Sequence, residues 1–79
     1  MDRESYIQLK LFANLQNFMP PTADNFAIEA GLTIGDLLTR LDIPEDKIKL
    51  VFVDGVRAEL TTILDGGERV GIFPPVGGG

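Results

Sequence analysis

The end of the chain carries the residues whose types and spacing suggest chemistry. A strand-like apolar run over residues 68–73 leads into Pro74 and Pro75, and three glycines follow at residues 77–79. Proline fixes φ and lacks an N–H, so strand pairing should stop at Pro74. Glycine has no Cβ, so the last residues could enter a channel too narrow for any other side chain.

This pattern predicts a flexible tail, residues 74–79, whose reactive group is the terminal carboxylate of Gly79. Fully extended, the tail would span roughly 20 Å at about 3.5 Å per residue, which reaches deep into another protein. The alternative is a frayed end without a role, which is common for glycine-rich ends. The glycines follow a compact apolar strand and not a polar low-complexity stretch, and this favours the functional interpretation.

The composition predicts one small cytoplasmic domain and excludes several kinds of site. The 79 residues fit a single domain, residues 1–79, and an apolar fraction of 44% is enough for a core. The sequence has no cysteine and no histidine, so disulfides, Cys/His zinc sites and thiol or imidazole catalysis are excluded. No apolar run is long enough to cross a bilayer, and residues 1–4 do not begin a signal peptide.

The net charge is −5, which disfavours nucleic acid and anionic membranes as partners. An acidic protein suits a partner with a basic face. The alternative is that the acidity only keeps a small protein soluble. Net charge alone does not separate the two interpretations.

Apolar periodicity predicts two strands in the first half of the chain. Residues 5–13 and residues 26–30 alternate between apolar and polar side chains, as half-buried strands do. Residues 13–19, between the two strands, fit a short helical turn. The apolar residues that would share one side of this turn are Leu15, Phe18 and Met19.

One helix is predicted over residues 34–42. Thr33 is a good N-cap, and Asp36, three residues later, completes a capping-box pair near the positive end of the helix. The helix should end before Pro44. Its apolar stripe should cover the inner face of a sheet, and a partner-binding stripe is the minor alternative. The stripe consists of Ile34, Leu37, Leu38 and Leu41.

The second half of the chain reads as strands joined by turns. Residues 50–53 are rich in β-forming side chains, residues 54–55 are a strong hairpin signal, and residues 56–58 return as a short strand. Residues 61–64 read as irregular or as a single turn, and residues 68–73 as the last strand. The resulting order predicts an α+β fold, a mixed sheet of four to five strands covered by one main helix.

Four segments carry a resemblance to a known family, namely residues 11–13, 53–55, 64–70 and 73–79. With the order of elements, they resemble the ubiquitin-like β-grasp fold and, within it, the MoaD/ThiS family of sulfur-carrier proteins. The similarity covers essentially the whole domain. It is greatest to MoaD, the small subunit of molybdopterin synthase.

Some positions depart from the family pattern. Asp54 stands where the family usually has Asn, and Gly77 stands where members often carry another residue, so the functional pair is Gly78 and Gly79. The first loop, with residues 18–21, is longer than the tight hairpin of ThiS, the thiamine sulfur carrier. This length favours members that resemble MoaD or the ubiquitin-related modifier.

The resemblance implies a sulfur carrier that binds no cofactor. An activating adenylyltransferase of the MoeB/ThiF kind would use ATP to adenylate Gly79, and a sulfur donor protein would supply the sulfur for a thiocarboxylate. In a MoaD-like system a large catalytic subunit of the MoaE kind receives the sulfur for molybdopterin. The chain has no acid/base set of its own, so it would be a co-substrate or non-catalytic subunit. The residues that would bind these partners are Phe12, Phe73, Pro74, Pro75, Val76, Gly77 and Gly78.

The aromatic residues Phe12 and Phe73 predict a second feature, a docking patch beside the tail. In the β-grasp topology they end parallel neighbouring strands, opposite in phase to the core residues, and Leu50 or Phe52 could join them. Exposed apolar patches usually mark interfaces. The alternative is a satellite core in which this patch is covered by Leu15, Phe18 and Met19.

Other functions share the same tail chemistry. The sulfur could serve thiamine, thiolated tRNA or a tungsten cofactor. The chain could also be a protein modifier that is conjugated to lysines through Gly79, or a β-grasp binding module that never uses its terminus.

Overall fold

The structure, a computed structural model, describes residues 5–75 of the chain. Its helix α1 is Ile34–Arg40, and short 3₁₀ helices lie at Ala13–Phe18, Ala23–Asn25 and Glu45–Lys47. Its strands are β1 Ser5–Leu11, β2 Phe26–Ile28, β3 Leu32–Thr33, β4 Leu50–Val53, β5 Val56–Arg57, β6 Ile63–Leu64 and β7 Arg69–Phe73.

The main sheet has five strands in the order β2-β1-β7-β4-β5. Strands β1 and β7 are parallel neighbours, whereas the pairs β1–β2, β4–β7 and β4–β5 are antiparallel. Strands β3 and β6 form a separate two-stranded sheet. The predicted α+β fold, a mixed sheet with one main helix, is therefore confirmed.

Alternate residues of β1 and β7 build the core under α1. Ile7, Leu9 and Leu11 are each at most 2% exposed, and Val70 and Ile72 are fully buried. Burying a side chain of this size contributes about 1.5–3 kcal/mol, so this inner face supplies much of the stability. The helix contributes its predicted apolar stripe to the same core, namely Ile34, Leu37, Leu38 and Leu41.

The start of α1 forms the predicted capping box. The hydroxyl of Thr33 accepts a hydrogen bond from the Asp36 N–H at 3.1 Å, and the Asp36 carboxylate accepts one from the Thr33 N–H at 3.4 Å. The helix ends at Arg40, two residues earlier than predicted. Asp42 has a φ of +61°, a left-handed conformation that Asp tolerates better than most residues, and this ends the helix.

The turn between β4 and β5 confirms the predicted hairpin. Asp54 and Gly55 have φ values of +52° and +83°, the pair of positive angles that a type I′ turn requires. The Asp54 carboxylate also accepts a hydrogen bond from the Arg69 N–H at 3.0 Å, which fastens the turn to β7.

The prediction of an irregular or single-turn segment at residues 61–64 holds for residues 61–62 and was wrong for the last two residues. Ile63 and Leu64 form β6, which pairs antiparallel with β3. The Leu64 carbonyl accepts a hydrogen bond from the Gly31 N–H at 2.9 Å, and the Leu64 side chain is fully buried. A two-residue strand has no periodicity of its own, and its partner lies about thirty residues away, so the local pattern did not indicate it.

The second predicted strand was too long. Strand β2 ends at Ile28, and Ala30, which was expected on the core side, is exposed. Gly31 follows with a φ of +96°, which turns the chain toward β3. Among residues 5–75, no helix has the length and apolar character that a membrane span requires.

Candidate functional site

The main sheet stops where the predicted tail begins. The Phe73 carbonyl accepts a hydrogen bond from the Lys49 N–H at 2.8 Å, and the Ile72 carbonyl accepts one from the Phe12 N–H at 3.1 Å. Pro74 has no N–H, so the ladder ends at Phe73, as the sequence predicted. Pro74 is half-buried and Pro75 is exposed.

The rest of the predicted site lies outside the described residues. These residues are Val76, Gly77, Gly78 and Gly79. The structure therefore shows where the predicted tail begins, at Pro74 and Pro75. The roles predicted for the other four residues stay predictions.

An aromatic cluster lies beside the end of β7 and consists of Phe12, Phe52 and Phe73. The Phe12 and Phe73 rings are stacked, with centroids 4.2 Å apart and planes 5° apart. The Phe52 ring meets Phe73 edge-on at 5.7 Å. Aromatic pairs in these geometries contribute about 0.5–1.5 kcal/mol beyond their buried area, so the rings hold one another in place.

The aromatic cluster lies on the side of the sheet that faces away from α1. Phe12 follows Leu11, and Phe73 follows Ile72, so each ring has the opposite phase to a core residue. Phe52 joins them because it lies directly opposite Gly71 in the β4–β7 register. Phe12 remains 37% exposed.

The residues of the first 3₁₀ helix do not form the satellite core that was the alternative. Leu15 is buried in the main core, Phe18 packs against that same core, and Met19 is 42% exposed. The Phe12 ring is therefore left open to solvent. Whether a partner binds it stays a prediction.

An open depression of about 280 Å³ adjoins the aromatic cluster, and Gly71 forms part of its floor. A Cβ at Gly71 would lie 3.6 Å from both Phe12 Cε2 and Phe73 Cε1. The missing side chain therefore leaves space between the two rings and the sheet. The other residues that matter for its shape and charge are Lys10, Phe52 and Arg69.

The depression suits binding more than catalysis. Its lining is almost wholly apolar and includes three aromatic rings, as in sites that accept an apolar side chain. Within residues 5–75, no three acidic side chains cluster closely enough to hold a metal ion. The geometry therefore offers a docking surface next to the strand from which the tail leaves.

Sequence reasoning missed Gly71 and the two cations that line the depression, Lys10 and Arg69. Gly71 has the same phase as Phe73, which is visible in the sequence. Its position opposite Phe52 depends on the register of β4 and β7, which no local pattern gives. Phe52 itself was one of two expected neighbours. The register places Leu50 opposite Phe73, but it is the Phe52 ring that contacts Phe73 edge-on and lines the depression.

Comparison with known proteins places this geometry in a family. A sequence model of the ThiS family matches residues 9–79. Comparison with curated proteins finds no match.

Several solved structures share the fold. SAMP1 from Haloferax volcanii is 26% identical, with a TM-score of 0.68 over 95% of this chain and 100% of that one. A Pyrococcus furiosus protein assigned as molybdopterin converting factor, subunit 1, is 24% identical, with a TM-score of 0.65 over 91% and 99%. Urm1 from Trypanosoma brucei is 16% identical, with a TM-score of 0.62 over 100% of both chains. These likenesses confirm the ubiquitin-like β-grasp fold.

Proposed function

The chain belongs to the ThiS family, and we propose that it is a sulfur carrier that works through the carboxylate of Gly79. One observation carries the proposal. The family match continues to Gly79, whereas the pairing of β7 ends at Phe73. The residues after Phe73 therefore belong to the family pattern, and the two of them that the structure describes, Pro74 and Pro75, lie outside the ladder of the main sheet.

The proposed chemistry occurs in two steps at the terminal carbonyl carbon. A Gly79 carboxylate oxygen attacks the α-phosphorus of ATP in an activating adenylyltransferase of the MoeB/ThiF kind, and pyrophosphate leaves. A sulfur donor protein then supplies sulfur at the oxidation level of sulfide, which displaces AMP and leaves a thiocarboxylate. The carbon is neither oxidised nor reduced, because one oxygen is exchanged for one sulfur.

The tail residues explain why this chemistry needs glycine. The carboxylate must lie about 3–3.5 Å from the phosphorus, in line with the leaving group. A side chain at Gly78 or Gly79 would widen the tail and displace the reacting carbon. Gly77, Val76 and the two prolines would guide the tail into the partner's channel.

The proposed destination of the sulfur is molybdopterin, in a cytoplasmic complex with a large catalytic subunit of the MoaE kind. The long first loop supports this assignment over the thiamine pathway. The β-grasp likeness to the Pyrococcus furiosus protein is consistent with it. Thiamine, thiolated tRNA and a tungsten cofactor are the alternative destinations.

The aromatic cluster would dock the carrier on its partners. Phe12 and Phe73 lie at the end of the strand that leads into the tail, so a partner that covers them also receives Pro74 and Pro75. Apolar anchors near the centre of an interface supply most of its binding energy. Docking and tail insertion would then reinforce each other.

Extending the chain by one residue after Gly79 tests the proposal. The measurement is ATP–pyrophosphate exchange with an activating enzyme that accepts the unmodified chain. We expect the extension to abolish exchange, since the carboxylate would move past the phosphorus. The matched control adds the same residue before Met1 and should exchange normally. Undiminished exchange by the C-terminally extended chain would contradict the proposal.

A protein modifier is the second candidate function. It is favoured by the likeness to Haloferax volcanii SAMP1, a small archaeal modifier protein. A modifier would pass the same Gly79 adenylate to a lysine amine and form an isopeptide bond. Probing a lysate of the source cell for higher-mass conjugates separates the two candidates, because a pure carrier forms none.

A further inference from the structure

The outer sheet face has the opposite charge to the protein as a whole. This face consists of the strand positions that point away from α1, together with Phe12. Among its charged residues, Lys10, Arg57 and Arg69 are all cations, whereas the whole chain has a net charge of −5. The full set is Tyr6, Gln8, Lys10, Phe12, Ala27, Leu50, Phe52, Arg57, Arg69, Gly71 and Phe73.

We propose that the partner which docks here is a protein that presents an apolar side chain flanked by carboxylates. The apolar side chain would fill the depression over Gly71, and the carboxylates would face Lys10, Arg57 and Arg69. This inference rests on the proposed function, because it names the chemistry of the surface that docks the carrier.

Strand register places the cations around the depression. Lys10 lies opposite Gly71, Gly71 opposite Phe52, and Phe52 opposite Arg57, which makes one row across four strands. At about 4.8 Å between neighbouring strands, Lys10 and Arg57 lie about 14 Å apart across the row. Gly71 and Phe52 lie between them. A partner's apolar side chain would therefore enter between two positive charges.

The third cation lies one step along β7. Arg69 is two residues before Gly71, so it points to the same face, and it lines the depression together with Lys10. Its side chain adds a positive charge on the side of the depression away from the tail. Lys10 and Arg69 thus line the depression itself, whereas Arg57 ends the row beyond Phe52 and lines a different depression with Glu45 and Glu59.

These cations form no ion pair with any described residue. Among residues 5–75, the one ion pair joins Arg40 to Glu29, which lie elsewhere. Asp54 is near Arg69, but its carboxylate accepts the Arg69 backbone N–H. Asp24 does not line this depression; it lines two neighbouring ones, one with Arg69 and one with Lys10, and forms no ion pair with either. The three charges are therefore available to a partner.

Screening decides which charge a docked partner experiences. The Debye length at physiological salt is about 8 Å, so charges at the contact outweigh the distributed acidity of the rest of the chain. Complementary charge at an interface raises the association rate and excludes wrong partners. The net charge alone suggests a basic partner, and the local arrangement at this face indicates an acidic one.

A protein fits this face better than nucleic acid does. Bases bind by stacking on free aromatic faces, and the stacking of Phe12 on Phe73 already occupies one face of each ring. The net charge of −5 also repels a phosphate backbone at long range. A protein surface with a few carboxylates around an apolar side chain carries less negative charge than a phosphate backbone and needs no stacking surface.

Three short peptides with a central leucine pair test the charge preference. Their flanking residues are glutamate, lysine or glutamine, and each is titrated into ¹⁵N-labelled full chain at low salt. We expect the acidic peptide to shift the amides of Lys10, Gly71 and Phe52, and to bind about tenfold tighter than the neutral one. Added salt should remove that advantage.

Charge-reversal variants sharpen the test. Arg57→Glu and Arg69→Glu should each weaken the acidic peptide several-fold. Lys47→Glu, which changes net charge equally at a position off this face, should not. Preference for the basic peptide, tighter binding of a single-stranded RNA oligonucleotide, equal effects of all three variants, or no shift with any peptide would overturn the inference.

The outcome is separable from that of the proposed function. The titration is repeated on Gly79→Ala, which alters the terminal chemistry and leaves the outer sheet face intact. The inference predicts the same acidic preference in that variant. If the acidic preference fails while adenylation of Gly79 succeeds, only the inference falls, and the reverse result removes only the carrier function.

Discussion

Alternate residues of the same strands face two different surroundings. On the inner face, Leu9, Leu11 and Ile72 are at most 2% exposed beneath α1. On the outer sheet face, Phe12 is 37% exposed and stacks on Phe73. The inner face is explained by burial, because each residue there is removed from water by the helix.

The outer sheet face is not explained in the same way. Its rings bury each other only in part, and Gly71 among them contributes no side chain to the packing. A sheet face that only needed to be soluble would carry polar side chains at these positions. Folding accounts for the inner face, and the proposed docking role would account for the outer one.

The largest effect on stability is expected from a substitution in the core on the inner face. Leu37→Ala removes a fully buried side chain from α1 and should lower the free energy of unfolding by about 2–5 kcal/mol. Phe12→Ala on the outer sheet face should cost much less, because that ring is partly in water already. Chemical denaturation measures the free energy of unfolding of both variants. Equal losses of this free energy would show that the two faces contribute equally to stability.

The next effect separates binding from stability. Phe73→Ser should reduce affinity for the large catalytic subunit at least tenfold, since it removes the ring that joins Phe12 to Phe52. Ile63→Ser is the control, because Ile63 is 58% exposed on the small β3–β6 sheet. Titration calorimetry that finds unchanged affinity for Phe73→Ser would remove the docking role.

A smaller effect tests the open floor. In Gly71→Ala the new methyl group lies at an ordinary 3.6 Å from both rings, so stability should change by no more than about 0.5 kcal/mol. Partner affinity should fall several-fold because the depression becomes shallower. Gly66→Ala is the contrast, since its Cβ would lie 2.7 Å from Ser5 Cβ at a φ of +118° and should destabilise the fold. Equal stability losses would contradict this account of Gly71.

The smallest effect lies away from both faces. Hydrogen bonds and the charge of Arg40 hold the pKa of Glu29 below its ordinary value. A carboxylate with a lowered pKa contributes stability above its unfolded-state pKa, and that contribution is lost as pH falls through the folded-state pKa. Glu29→Gln should therefore lower the thermal midpoint slightly at neutral pH and not in strong acid. A difference that persists in strong acid would exclude this ion pair as its cause.

Local patterns in the sequence predicted the elements whose signals are local. The alternation of Ile7, Leu9 and Leu11 gave β1, the pair Thr33 and Asp36 gave the helix start, and residues 54–55 gave the hairpin. Strand β6 was missed because its two residues become a strand only through pairing with β3.

The candidate site also has a part that the sequence predicts and a part that only the assembled sheet shows. Proline and glycine chemistry indicated where the sheet ends and which terminal group could react. Phase within single strands, together with the neighbouring strands that the β-grasp resemblance implied, indicated Phe12 and Phe73. The depression at Gly71 and the placing of the cations around it depend on the register among four strands, so they emerge only from the assembled sheet.

The most direct test of the central claim is the mass of the intact chain after incubation with ATP, an activating enzyme and a sulfur donor. The account predicts a gain equal to the replacement of one oxygen by one sulfur, located by fragmentation at Gly79, with no other covalent change. An unchanged mass with an enzyme that demonstrably adenylates the chain, or sulfur found at any other residue, would contradict it.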